Sequence, residues 1–269
     1  MTAARPGKPP ELLVRAAVGL ALVAVALAAL VLGGWGFWLL VVVMAMVMLA
    51  EWAGLVGARP QERRLALLAL VVPLAIMAPG GAGPGFLALG LVGAAFFFIG
   101  AVTRKAALAA GALYVGIPVL SLLLIREQRD FGLIYALWTL ALVWMCDIGA
   151  YFAGRMIGGP KLAPAISPNK TWAGLIGGVA LASLFAAFMH WQLGLAMRLT
   201  LATPVLAVIA QGGDLFESWL KRRVGAKDSG TILPGHGGVL DRLDGLVPVA
   251  PVAAFLVVVV PRLYGMSVW

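Results

Sequence analysis

Asp241 and Asp244 stand three residues apart in SWLKRRVGAKDSGTILPGHGGVLDRLDG, residues 218–245, a stretch that also carries Lys221, Arg222, Lys227, Asp228 and Arg242. Carboxylate oxygens are hard ligands that suit a small divalent cation, and lysine and arginine bind phosphate oxygens through charge-assisted hydrogen bonds. If this segment opens a helix, the i, i+3 spacing puts both aspartates on one face. Asp228 adds a third carboxylate, and Asp214, in VIAQGGDLFESWLKR, is available as an opposing oxygen ligand. Glycines at 225, 230, 235, 237 and 238 let backbone approach a ligand closely and leave N–H groups for an anion. The combination points to Mg²⁺ or another hard divalent cation and not to zinc, because Cys146 is the single cysteine and no Cys/His ligand set exists. Neither a Walker A pattern nor a GxSxG elbow is present to suggest another chemistry.

Two further polar stripes aim the same way. Helical spacing puts Asp147, Tyr151 and Arg155 of DIGAYFAGR on one face, and Asp214, Glu217 or Ser218, and Lys221 on another. A carboxylate at the centre of a membrane helix costs about 2.5–3.5 kcal/mol, so each needs a partner. Internal salt bridges that merely hold the helices together are the alternative for either stripe. Between them lies GGPKLAPAISPNKTW, where Pro164 and Pro168 interrupt helix, Ser167 or Thr171 can cap the helix that follows, and Lys170 stands beside its N-terminus as a phosphate-binding group. Glu51 and His190 have no periodic polar company; they read as packing or interfacial residues.

These residues need a scaffold, and composition says which kind. Charged residues make up 12% of the chain and hydrophobic ones 62%, whereas a soluble domain carries about a quarter charged residues. An all-α, polytopic integral membrane helical bundle of about nine transmembrane helices is predicted, with spans near 12–32, 35–56, 65–79, 84–102, 107–125, 133–154, 172–191, 199–220 and 246–265. The basic start followed by an apolar run reads as the first span and not as a cleaved signal, since the run continues through Gly33 and Gly34 into a second one. Sixteen of the 20 basic residues fall on the side that holds the N-terminus, which places the N-terminus and the polar loops in the cytoplasm and the C-terminus outside. Residues 1–132 then form about five N-terminal spans, and residues 133–269 form the catalytic region with cytoplasmic loops 155–171 and 221–245.

The run Ser218, Lys221, Arg222, Lys227, Asp228, Gly230, Leu233, Pro234, His236, Gly237, Gly238, Asp241, Arg242 and Asp244 resembles the signature of the phosphatidate cytidylyltransferase (CDP-diacylglycerol synthase) family. The resemblance extends to GGDLFES, SPNKTWAG and DIGAYFAGR, about the C-terminal half; the first five spans match only in hydrophobic character. Gly245 departs from the serine that many members carry there. The resemblance implies an integral protein of the bacterial inner (plasma) membrane, with CTP and phosphatidic acid as substrates, a required divalent cation such as Mg²⁺, and no nucleic-acid partner. It implies a metal held by Asp214 and Asp241, with Asp244 and Asp147. It also places Lys227 and Lys221 close to the reaction, and Ser167, Lys170, Thr171, Ser218, Arg222, Asp228, His236, Gly237, Gly238 and Arg242 at the substrates. His236 is expected to be structural or phosphate-binding, because a phosphatidate nucleophile is already ionised. A CTP-dependent lipid-alcohol kinase and a lipid or ion transporter using Asp147 and Asp214 are the competing readings. The resemblance, with GxxxG spacings at Gly154/Gly158 and Gly174/Gly178, makes a homodimer an expectation.

Overall fold

The computed structural model describes residues 11–230, 232 and 237–263, with side chains from residue 19 onward. His236 lies outside the described residues.

Every predicted span is helical. The chain runs through α1 (Glu11–Leu32), α2 (Gly34–Leu55), α3 (Pro60–Ile76), α4 (Phe86–Thr103), α5 (Ala106–Arg126) and α6 (Gly132–Met156). It continues through α7 (Trp172–Leu193) and α8 (Met197–Arg223), then a short α9 (Leu240–Leu243) and α10 (Leu246–Ala254). A π-helical turn, Phe255–Val259, joins α10 to α11 (Val260–Leu263), so the last predicted span is a composite. Val260 N there bonds Phe255 O, and Pro261 has no N–H with which to restore α-helical register.

Seven of these segments, 18 to 27 residues each, are long and apolar enough to cross a membrane among the described residues. Phe86, Phe97, Leu184, Trp191 and Leu201 stand exposed around the outside. The protein is an integral membrane protein, and these apolar side chains form an outer face suited to lipid, not water. α3 begins five residues earlier than predicted because Pro60 at its first position is preset for helix and Glu62 accepts from Arg59 N at 2.6 Å. Those two caps outweigh the charges of Glu62, Arg63 and Arg64.

α5 is the most buried span and packs against α2, α3, α4, α6 and α10. Arg126 at its end bonds the carbonyls of Leu30 (2.8 Å) and Val31 (3.2 Å), securing the C-terminal end of α1. The tightest helix pair is α6 with α7: a Cβ at Gly177 or Gly178 would collide with the α6 backbone or side chains. Gly154 and Gly174 also face each other across this pair, so three of the four glycines that suggested a homodimer, Gly154, Gly174 and Gly178, pack inside one chain, while Gly158 has nothing near it.

One connection between the helices is not irregular loop. The connection after α6 is a small antiparallel hairpin, β1 (Lys161–Ala163) with β2 (Ser167–Thr171). Its register shifts between Lys161 and Ala163, beside Pro168, which has no N–H to give the ladder. Thr171 ends β2 and caps α7, its hydroxyl accepting from Gly174 N at 3.0 Å. Thr171, not Ser167, is therefore the capping residue.

Candidate active site

The last turns of α8 carry the acidic stripe. Asp214, Glu217 and Lys221 follow one another at helical spacing, and Lys221 Nζ lies 3.5 Å from Glu217 Oε1. Ser218 Oγ reaches Asp214 Oδ1 only at 3.4 Å, so Glu217 is the residue that completes the stripe. Glu217 is 1% exposed, and neither of its oxygens has a hydrogen-bond partner. Such a carboxylate is held next to cations or costs several kcal/mol.

The segment after α8 folds back onto Lys221. Asp241 Oδ1 accepts from Lys221 Nζ at 2.5 Å, and its Oδ2 accepts from Ser229 N (2.9 Å) and Gly238 N (2.8 Å). Burial pushes the Asp241 carboxyl up, but Lys221 and these two N–H groups outweigh it and hold the group below its usual range. Gly237, at φ 80°, makes the turn that presents Gly238 N. On the far side of the same segment, the Glu51 carboxylate of α2 accepts from Val239 N at 3.1 Å and Leu240 N at 2.8 Å.

From the hairpin, Lys170 reaches across to α8. Its Nζ sits 2.6 Å from Asp214 Oδ2 and 3.1 Å from Gln211 Oε1. Gln211 is buried and also faces Cys146 Sγ at 3.6 Å, so it fixes the lysine from below. On α6, Arg155 donates to the Tyr151 hydroxyl at 3.0 Å, as the predicted stripe requires.

Much of this borders one cavity of about 1140 Å³, which Glu51 and Glu217 do not line. Its polar end is lined by Asp147, Tyr151, Arg155, Asn169, Lys170, Thr171, Gln211, Asp214, Lys221, Asp228, Asp241, Arg242 and Asp244. The cavity then continues into an apolar compartment between α1, α2, α5 and α6, lined by Leu22, Phe37, Val41, Met44, Met48, Val119, Leu122 and Leu140. Of the residues singled out in the sequence, Ser167, Ser218, Arg222, Lys227, Gly237 and Gly238 do not line it. Gly237 and Gly238 act through the bonds around Asp241; Arg222 and Lys227 are exposed beside it.

As they stand, no three His, Cys, Asp or Glu side chains among the described residues converge closely enough to hold an ion. The physical reason is visible at two of the four expected ligands. The ammonium groups of Lys170 and Lys221 occupy the space against Asp214 and Asp241, and three donors, Lys221 Nζ, Ser229 N and Gly238 N, already bond Asp241. An ion at Asp241 would have to displace Lys221. The donor chemistry nevertheless fits a hard cation, since the side chains are oxygen donors and Glu217 has two orphaned oxygens.

Asp244 gives a pH test. Burial first, and then the charge of Asp214, push its carboxyl up to about 7, although Gly245 N donates to it at 2.7 Å. A raised folded-state value means that the folded protein holds this proton more tightly than the unfolded chain. The resulting stability is fully present below about pH 3.9 and is lost as pH rises toward about 7. With divalent cations chelated, the thermal midpoint should fall as pH is raised from about 5 to about 7, and Asp244→Asn should flatten that slope. An unchanged slope in the variant would contradict the assignment.

A sequence model described as the cytidylyltransferase family matches residues 13–260. The chain belongs to this family. Among curated relatives, a phosphatidate cytidylyltransferase of Brucella suis biovar 1 (strain 1330) is 52% identical over 154 residues, 53% of this chain and 53% of that protein. One from Staphylococcus epidermidis (strain ATCC 35984) is 45% identical over 148 residues, covering 54% of this chain and 56% of the relative. One from Bacillus subtilis (strain 168) is 43% identical over 148 residues, covering 54% and 55%. The chain thus spans about half the length of the curated relatives it matches. Family membership covers most of the chain, including α1 to α5, where the sequence itself offered only hydrophobic character.

Sequence reasoning missed Glu51 and Gln211 and set Glu217 level with Ser218. A lone charge in a 22-residue apolar helix was the available signal for Glu51, because such a group demands a partner.

Proposed function

We propose that this protein transfers the cytidylyl group of CTP to phosphatidate, releasing pyrophosphate and leaving CDP-diacylglycerol in the bilayer. The observation that carries this reading is the continuity of the cavity. One end offers Lys170, Lys221, Arg155 and Arg242 among carboxylates, and the other is apolar and lies within the spans, which suits a charged headgroup with hydrocarbon chains. The relatives' printed name and the family match support the same substrates. The charge asymmetry supports a cytoplasmic site.

In the proposed reaction an ionised phosphatidate oxygen forms a bond to the α-phosphorus of CTP, and the bond from that phosphorus to the oxygen bridging to the β-phosphorus breaks. Pyrophosphate carries away the electron pair. Lys170 and Lys221 stand where they can exchange a carboxylate partner for a phosphate oxygen, which places positive charge beside the pentacoordinate phosphorus. Asp214 and Asp244 would hold a divalent cation, with Asp241 joining if Lys221 moves; Asp147 faces the same space. When bound, such an ion neutralises charge developing on the phosphates. Purified protein supplied with CTP, phosphatidate and Mg²⁺ should form a CDP-lipid and pyrophosphate in equal amounts. Release of CDP would indicate a kinase, and no turnover would overturn the proposal.

Lys227, exposed in the loop after α8, is proposed to meet a CTP phosphate outside the cavity mouth. Lys227→Ala should lower kcat/KM for CTP by about tenfold or more with the thermal midpoint unchanged, because an exposed lysine contributes little packing. Lys227→Arg should recover only part of it. An unchanged kcat/KM for CTP would remove Lys227 from the site.

A further inference from the structure

Glu51 is the only charged residue of α2 and is 5% exposed, yet its hydrogen-bond partners among the described residues come from the signature segment about 180 residues later. Its Oε1 accepts from Val239 N at 3.1 Å, and its Oε2 accepts from Leu240 N at 2.8 Å and from Ser229 Oγ at 3.3 Å. A Cβ at Gly230 would stand 2.5 Å from Glu51 Oε1, and one at Gly238 would stand 2.7 Å from Oε2, so both glycines are needed for the segment to close over the carboxylate. On the opposite side Asp241 takes Ser229 N and Gly238 N. The same two strips of backbone are therefore gripped from both sides, by Glu51 from the membrane helix and by Asp241 from within.

The end of α2 is itself fixed. Trp52 Nε1 donates to Ala107 O of α5 at 2.8 Å, and its ring stacks on Tyr114 at 4.7 Å. Glu51 thus refers the loop to the most buried helix of the bundle. Since Asp241 is bonded to Lys221, any shift of the Glu51 contacts moves the charges at the polar end of the cavity.

We propose that Glu51 is a positioning residue for cytidylyl transfer, seating the signature segment so that Asp241 and Lys221 take their places; this rests on the function proposed above. A glutamine at 51 keeps the volume but turns an N–H₂ group toward backbone N–H donors, whereas an aspartate keeps both acceptor oxygens and withdraws them by one methylene.

The test uses the full chain in lipid nanodiscs, with steady-state kinetics and hydrogen–deuterium exchange measured side by side. Glu51→Gln should lower kcat by about thirtyfold or more, with KM for phosphatidate changed less than about threefold. Amide exchange of residues 237–243 should rise about tenfold while α5 stays protected. Glu51→Asp should recover part of kcat. Gly230→Ala, which attacks the same contact from the loop side, should lower kcat similarly, and the double variant should be little worse than either single one. A Glu51→Gln protein with kcat within about threefold of wild type, or with exchange raised equally in α5, would overturn the proposal. If wild-type protein forms no CDP-lipid, the proposed function fails, and the exchange comparison alone then decides whether Glu51 seats the loop.

Discussion

Asp241→Asn should reduce turnover by at least about a thousandfold, the largest effect expected of any single substitution in the loop. Asparagine has nearly the same size, so no cavity opens and the spans still assemble. What changes is that one of its two terminal groups becomes a donor, facing either the Lys221 ammonium or the N–H groups of Ser229 and Gly238. Lys221 loses its closest carboxylate, and the segment loses one of its two grips. Stability should fall by about 1–3 kcal/mol, the usual cost of a buried hydrogen-bonding mismatch, while kcat falls far more. CDP-lipid formation and thermal unfolding measured on the same preparation separate the two. Activity within about tenfold of wild type would mean that Asp241 serves only the fold.

Lys221→Met should be the most destabilising change. The ammonium stands against Asp241 and Glu217, its side chain is 13% exposed, and Asp244 is close by. Removing it leaves several carboxylates without their shared cation, and breaking a buried pair in this way costs about 3–5 kcal/mol. The sign of the pH dependence follows from Asp241. Its carboxyl is held low by Lys221, so it contributes stability above its unfolded value that is lost as pH falls through the folded one. Without Lys221 that contribution is reduced at neutral pH, although Ser229 N and Gly238 N still bond the carboxylate, and the gap between variant and wild type should narrow as pH falls below about 3.9. Thermal unfolding at about pH 7 and about pH 3, on either side of the unfolded aspartate value of about 3.9, checks this, and a gap that widens in acid would contradict it.

The helices were legible in the sequence because a bilayer admits only long apolar runs, and each run ended at a breaker or a charge cluster. α3 was displaced because its first turn is charged, and hydropathy does not register a helix cap made by Pro60 and Glu62. The hairpin at Lys161 to Thr171 was read as loop, since Pro164 and Pro168 conceal so short a ladder. At the site, the i, i+3 and i, i+4 spacing of Asp214, Glu217 and Lys221 is local and therefore readable. The contacts of Glu51 with Val239 and Leu240, and of Gln211 with Lys170, join distant segments, and no periodicity carries that information. The four-aspartate metal set came from local spacing and the family resemblance, neither of which says that Lys170 and Lys221 stand against two of them.

The most direct measurement of the central claim is the fate of each phosphorus of CTP. Purified protein in nanodiscs containing phosphatidate receives CTP labelled either at the α- or at the γ-phosphorus, with Mg²⁺, and the lipid and aqueous products are separated. Cytidylyl transfer puts the α-label into the lipid fraction and the γ-label into pyrophosphate. Label entering the lipid from the γ-position, with CDP left in the aqueous phase, would contradict it.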